Sequence, residues 1–288
     1  MLVNKSITVL MTTYNCGRYI LTSINSILKQ SYENYELLIV DDGSEDKSEK
    51  IIRSLDCEKI RYIRLNHVGR SAALNYGLSA AKYDWVALMD ADDIAVPERL
   101  EKESKLISEN DNYIIFSDSV FFKNKKIQFL NRINTEKEDL KRKIESRGHI
   151  CNSSVLYNRN FILKNGGYNV NLDHSEDFEL WIRLLNKANF VHLNEFLIFM
   201  RIRDNSLSTK AFEGPISKIS VFSGLNKPAV EKKLGIMSSI REYLYRRRVK
   251  LTVKYLWWKI WNIKLHYELI RKLEELEQPG VFPDFRKH

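Results

Sequence analysis

Four short strand-like runs, at residues 7–11, 35–40, 60–65 and 85–89, the first a continuous β-rich run, alternate with stretches whose apolar residues recur at helical spacing. Ile20, Ile24, Ile27 and Leu28 follow the first run, and Ile51, Ile52 and Leu55 follow the second. Between the third and fourth lies an alanine-rich stretch, 70–82, with Ala73, Leu74 and Gly77 small enough on one side to approach a sheet closely. A strand that is apolar at every position is buried on both faces. Strand–helix repetition of this length therefore predicts an α/β domain with a mostly parallel central sheet covered on both sides.

Beyond Pro97 the pattern loosens. It predicts a helix near 98–108, a strand at 113–117, a charged connection over 123–147 and a strand at 155–157. After a turn at Gly166-Gly167, an amphipathic helix over 177–188 would turn Phe178, Trp181, Leu184 and Leu185 inward, and a strand at 196–200 would lead to Arg201 and Arg203. Residues 210–235 read as a linker, with two prolines and three glycines. The expected division is a main domain at 1–209, with halves 1–95 and 96–209, then the linker and a helical basic extension at 236–288.

The net charge of +9 is concentrated: residues 241–272 hold ten Lys or Arg against two acidic residues. A local basic surface implies a local anionic partner rather than a protein that coats nucleic acid, and no nucleic-acid-binding motif is present. Val253, Leu256, Ile260, Ile263, Tyr267 and Ile270 form a stripe that Trp257, Trp258 and Trp261 widen, with Lys250, Lys254, Lys259, Lys264 and Arg271 among them. Such a helix suits the interface of an anionic membrane. Packing on the main domain, or on a second copy in a homodimer, is the alternative. Three cysteines without metal-ligand spacing fit a reducing compartment, and Cys151 has no identifiable base beside it. With neither a signal-like leader nor an apolar run of about 20 residues, the expected location is the cytoplasm, peripheral on the inner face of the membrane.

Ligands of open α/β sheets bind beyond the carboxyl ends of the strands. Three of those ends carry Thr12–Asn15, Asp41-Asp42 and Asp90-Ala91-Asp92-Asp93. Asp42-Gly43-Ser44 also reads as turn and helix-cap chemistry, or as a phosphorylated carboxylate pair, although the partner Thr and Lys of such a site are not evident. Asp90 and Asp92, as alternate residues at a strand end, project to one side and can share a divalent cation. A solvated acidic turn is the other reading of that pair.

Taken in order, Ile7–Asn15, Asp41–Ser44, Gly69-Arg70-Ser71-Ala72-Ala73-Leu74-Asn75 with Gly77, and Met89–Asp93 resemble the family 2 glycosyltransferases of the GT-A fold. Gly166-Gly167-Tyr168 and Ser175–Leu184 resemble the acceptor-side motif of that family, so the likeness covers residues 5–209. It implies that 1–95 is a nucleotide-sugar-binding half and 96–209 an acceptor-binding half. Thr12, Tyr14 and Asn15 would line the nucleotide site, with the Tyr14 ring on the base and Asp41 accepting a base N–H, commonly from uracil. Asp90 would contact the donor sugar or ribose, and Asp92 would bind Mn²⁺ or Mg²⁺. Asp177 would be the general base of an inverting transfer, ionised at a helix N-terminus; Glu176-Asp177 alone also reads as plain N-capping charge.

Many relatives carry Arg where this chain has Leu74, and Arg70 is the candidate replacement. Arg201 and Arg203 resemble an element that approaches the diphosphate, and His149, Asn152, Glu176 and Trp181 are candidate acceptor contacts. The resemblance thus implies a sugar transferase acting on a glycan or lipid-linked acceptor in surface-polysaccharide or other glycan assembly. The rival reading is a catalytically silent nucleotide-sugar-binding subunit that organises a membrane assembly.

Overall fold

The computed structural model describes residues 5–133, 150–172, 175–203, 265 and 268–277. Strands β1 (Ile7–Thr13), β2 (Tyr35–Asp41), β3 (Ile60–Arg64) and β4 (Trp85–Asp90) are joined through helices α1 (Ile20–Leu28), α2 (Ser48–Arg53) and α3 (Arg70–Ala80). All three contacts among these strands are parallel, in the order β3-β2-β1-β4. The sheet then turns mixed. Strand β8 (Val155–Asn158) lies antiparallel to β4, and β6 (Tyr113–Lys123), β9 (Asn189–Arg201) and β5 (Ile94–Ala95) complete the path, with β7 (Lys126–Asn131) on β6. Helices α4 (Arg99–Ser104), α5 (Arg159–Lys164) and α6 (Glu176–Leu184) accompany this second half.

Period-two alternation in the strands builds two cores. Leu10, Leu38, Val40, Val86 and Leu88 meet Ala73, Leu74 and Leu78 of α3 and Leu180 and Trp181 of α6. Val9, Met11, Leu37, Ile39, Ala87 and Met89 face the other way, toward Ile20, Ile24 and Ile27 of α1 and Leu100 of α4. Each of those fully buried aliphatic side chains contributes about 1.5–3 kcal/mol. At Gly77 the helix α3 approaches β1 so closely that a Cβ would sit 2.3 Å from Leu10 Cδ1.

The parallel half matches the sequence expectation strand for strand. Later elements differ in extent. The connection expected over 123–147 begins instead with a β-hairpin, β6 continuing to Lys123 and β7 returning from Lys126. The strand expected at 196–200 starts at Asn189, and the two short helices α4 and α6 end earlier than their patterns predict. β6 and β9 pair in parallel along their whole length, so hydrogen bonding to a neighbour extends strands whose own composition is mixed.

The chain divides into two compact units, Met1–Ile202 together with Glu275–His288, and Arg203–Glu274. Residues 268–277 are helical. The linker expected at 210–235 and the tryptophans and lysines of the basic stripe at 250–264 lie outside the described residues. No described helix is long and apolar enough to cross a membrane.

Candidate active site

Register alone brings the strand ends together: Thr12 pairs with Asp90 across β1 and β4, and Thr13 with Asp41 across β1 and β2. Oxygen atoms of Asp90, Asp92 and Asp93 all lie within 4.8 Å of one another. The carboxylates of Asp92 and Asp90, together with burial, push the Asp93 carboxyl well above its ordinary range, burial being the largest cause. A cluster of hard oxygens with mutual repulsion to be relieved is one that can hold a divalent cation.

The three carboxylates are not equivalent. Asp93 Oδ2 accepts from Ser153 Oγ at 2.6 Å, and Oδ1 accepts the Arg201 amide at 2.8 Å. Ser153 Oγ in turn accepts the Asp90 N–H at 3.0 Å, so one buried hydroxyl grips both ends of the Asp90–Asp93 turn. Asp93 therefore serves as a strut from the turn after β4 to the 3-10 turn at Asn152–Ser154, just before β8, and to β9. Asp90 Oδ1 is met by Arg70 Nη2 at 2.7 Å, while Arg70 Nε reaches Glu176 Oε1 at 2.5 Å. Arg70 stands at the first position of α3 and Glu176 at the first of α6, so one guanidinium joins the acidic cluster to the start of the helix that carries Asp177.

The Asp177 carboxyl is raised to about 7 by burial first, then by the charge of Glu176, against the pull of Arg70 and of the Phe178 N–H on Oδ1. This corrects the expectation that the helix dipole keeps it fully ionised. A helix terminus contributes about 0.3–1 kcal/mol, less than one pKa unit, and burial outweighs it. Tyr14 is 42% exposed and stacks on His67 with ring centroids 4.2 Å apart. Asn15 is exposed, its Oδ1 accepting from the Glu45 and Asp46 amides, and thereby shapes the turn beside β2. Thr12 is buried at the end of β1.

Several implied roles do not fit the geometry. Asp41 is fully buried, its Oδ1 accepting the Ser44 N–H at 2.8 Å and its Oδ2 the Tyr62 hydroxyl at 2.7 Å, so its carboxylate faces the protein and not a base. Asp42 uses its oxygens on the Val68 and Gly69 amides and orders the loop before α3. Trp181 has no exposed surface and packs between Tyr157 and Phe190, so it belongs to the core rather than to an acceptor surface. Asn152 is also buried, accepting from the Tyr168 hydroxyl at 3.4 Å. Arg201 is embedded between the rings of Tyr19 and Phe122, donating to the Asp92 carbonyl and pairing with Glu277 at 2.9 Å. Arg203 opens the second compact unit. His149 lies outside the described residues. Burial pushes the Cys151 thiol up to about 12, which keeps it protonated and unreactive.

Sequence reasoning missed His67 and Ser153. His67 follows β3, another strand carboxyl end, so the rule that singled out the other three ends reaches it too. Ser153 stands 60 residues from Asp93, and no local pattern marks it.

The sequence profile of glycosyl transferase family 2 matches residues 8–165, more than half of the chain. The chain belongs to glycosyl transferase family 2. Among relatives of this family 2 enzyme, the O-antigen biosynthesis glycosyltransferase WbnJ of Escherichia coli is 30% identical over 213 residues, which cover 71% of this chain and 83% of WbnJ. An uncharacterized glycosyltransferase of Methanocaldococcus jannaschii is 32% identical over 212 residues, 70% of this chain and 73% of that protein. Crystal structures of S. aureus TarS residues 1–349 share the GT-A architecture. The complex with UDP-GlcNAc superposes with a TM-score of 0.60 at 19% identity, over 80% of this chain and 70% of that one.

Proposed function

We propose that this glycosyltransferase moves a sugar from a nucleotide-sugar donor, a UDP-sugar, to a hydroxyl of a glycan or lipid-linked acceptor, with inversion, in surface-polysaccharide assembly. The observation that carries the reading is the bridge from Asp90 through Arg70 to Glu176, which keeps the acidic cluster beside Asp177. A carboxyl with a pKa of about 7 suits a general base at neutral pH. In the proposed step Asp177 takes the proton of the acceptor hydroxyl as its oxygen bonds to the anomeric carbon. The bond from that carbon to the donor phosphate breaks, and its electron pair leaves with the nucleoside diphosphate.

Asp92 and Asp90 would hold a divalent cation, Mn²⁺ or Mg²⁺, which as a Lewis acid would offset charge on the departing diphosphate. The exposed Tyr14 ring supports a role as a platform for the base. TarS was solved with UDP-GlcNAc, which supports uridine as the base, and WbnJ is named for O-antigen biosynthesis, which supports the pathway. Residues 241–272 would bring the enzyme to an anionic membrane surface.

Transfer and donor hydrolysis across a panel of nucleotide sugars with Mn²⁺, comparing the native chain with Asp177→Asn, test this reading. Turnover of a UDP-sugar that falls in the variant supports it. Binding without any turnover in the native chain would instead identify a silent nucleotide-sugar-binding subunit.

A further inference from the structure

The β6–β7 hairpin combines features that the transfer reaction leaves unused. Its two-residue turn holds Asn124 and Lys125 at φ of 49° and 62°. Both residues lie in the left-handed region, the geometry that matches the twist of a hairpin but disfavours every side chain except glycine and, less strongly, asparagine. A lysine is kept at the tip despite that strain. Lys123 pairs with Lys126 across the strands, Lys125 and Lys126 are exposed, and residues 119–133 contain no acid. One register step toward the root, Phe122 pairs with Ile127, and the next step is the Phe121–Phe129 pair, whose rings stack at 4.3 Å with Phe129 51% exposed.

The same hairpin is tied to the candidate active site through Phe122. Phe122 pairs with Arg201 across β6 and β9, accepts the Ile202 amide, and lies under the Arg201 guanidinium at 4.5 Å. Arg201 donates from Nε to the Asp92 carbonyl at 2.9 Å. Lys125 lies in the turn just past the Lys123–Lys126 pair, so the tip stands about two strand steps, roughly 7 Å, beyond Phe122.

We infer that the 121–129 hairpin is a docking element for the anionic surface of a lipid bilayer, set beside the acidic cluster so that membrane contact brings the active site to a lipid-linked acceptor. Lysines at the tip beside a stacked aromatic pair whose Phe129 ring is exposed match phosphate headgroups above an acyl boundary. A second copy of the chain is the poorer occupant, because lysines at a strand edge repel an identical edge. The orientation toward an acceptor rests on the proposed transfer; the docking itself does not, and the two fail separately.

The test is co-sedimentation of the full chain with vesicles of phosphatidylcholine containing about one quarter phosphatidylglycerol, with pure phosphatidylcholine as reference. Lys125→Glu/Lys126→Glu removes the tip charge, and Phe129→Ser removes the aromatic without changing charge. Lys164→Glu/Lys187→Glu makes the same charge change near Asn189, which pairs with Tyr113 at the opposite end of β6. The inference expects a loss of affinity of at least about tenfold for the tip double variant. It also expects a clear loss for Phe129→Ser, little change for the control pair, and release of the native chain at high salt. Thermal unfolding and donor hydrolysis of the tip variant should stay at native values. Equal losses in the tip and control variants, binding that ignores Phe129, or binding to phosphatidylcholine alone at native strength would each overturn it. Donor turnover without vesicle binding would remove the hairpin proposal and leave the transferase reading intact.

Discussion

The Arg70 guanidinium lies 2.7 Å from Asp90 Oδ1, on the first turn of α3, which follows Gly69 with φ of 91°. Its other edge meets Glu176, so the strand end that carries the acidic cluster and the helix that carries Asp177 share one cation. Removing it leaves Asp90, Glu176 and Asp177 facing each other with their repulsion uncompensated. Arg70→Met should destabilise the fold by about 1–3 kcal/mol and raise the kinetic pKa of Asp177 further. Arg70→Lys should recover only part of the loss, since an ammonium cannot span two carboxylates as the planar fork does. Thermal melts and pH–rate profiles of both variants check this; an unmoved midpoint would sever Arg70 from Asp177.

Asp177 sets a pH dependence. Its carboxyl must be ionised to accept a proton, so kcat/KM should rise as pH increases through about 7 and level off above it. Asp177→Asn should leave nucleotide affinity near native while lowering transfer by about 10²-fold or more. Stability runs the opposite way. The folded carboxyl holds its proton more tightly than the unfolded one, so the native chain loses stability as pH rises from about 4 to 7. The Asn variant carries no such penalty and should melt higher than native at pH 8, by about 2 °C or more, with the gap closing near pH 4. A melt that is lower at every pH would contradict the assignment.

The acidic cluster separates a ligand from a strut. Asp92→Ala should abolish the Mn²⁺-dependent part of UDP binding, read by calorimetric titration with and without metal. Asp93→Asn should retain it, because an asparagine keeps one oxygen for the Arg201 amide and offers an NH₂ to Ser153 Oγ. Metal dependence that survives in Asp92→Ala and vanishes in Asp93→Asn would exchange the two roles.

Gly77→Ala tests the contact between α3 and β1. Alanine is the better helix former by about 1 kcal/mol, yet its Cβ would stand 2.3 Å from a fully buried Leu10. Overpacking of this kind costs about 1–3 kcal/mol, so a net loss is expected in denaturant titration. A gain in stability would mean that the core yields to the added methyl.

The parallel half of the fold was legible because its signals are local. Ile7–Met11 and Tyr35–Val40 are apolar except at Thr8 and Glu36, the near-continuous pattern of a strand buried on both faces, and the polar residues that follow them mark the ligand edge. The hairpin at 113–131 was not, because Lys123–Lys126 resembles a solvated connection, and only pairing with β9 and the left-handed turn make it strand. Trp181 stood in a motif of the right residue types, but which side of α6 meets the core depends on Tyr157 and Phe190, contributed by other strands.

The sequence by itself determined the α/β class, the family and the acidic cluster, since strand periodicity and a strand-end Asp-x-Asp are written within a few neighbouring residues. Only the tertiary structure decided that Asp41 faces inward to Tyr62 and Ser44, that Ser153 clamps the Asp90–Asp93 turn, and that Arg70 joins Asp90 to Glu176. Except for the short Asp41–Ser44 tie, these contacts join residues 20 to 106 positions apart. Which oxygen a donor meets then depends on how whole elements dock, and a carboxylate takes the nearest partner that burial leaves without water.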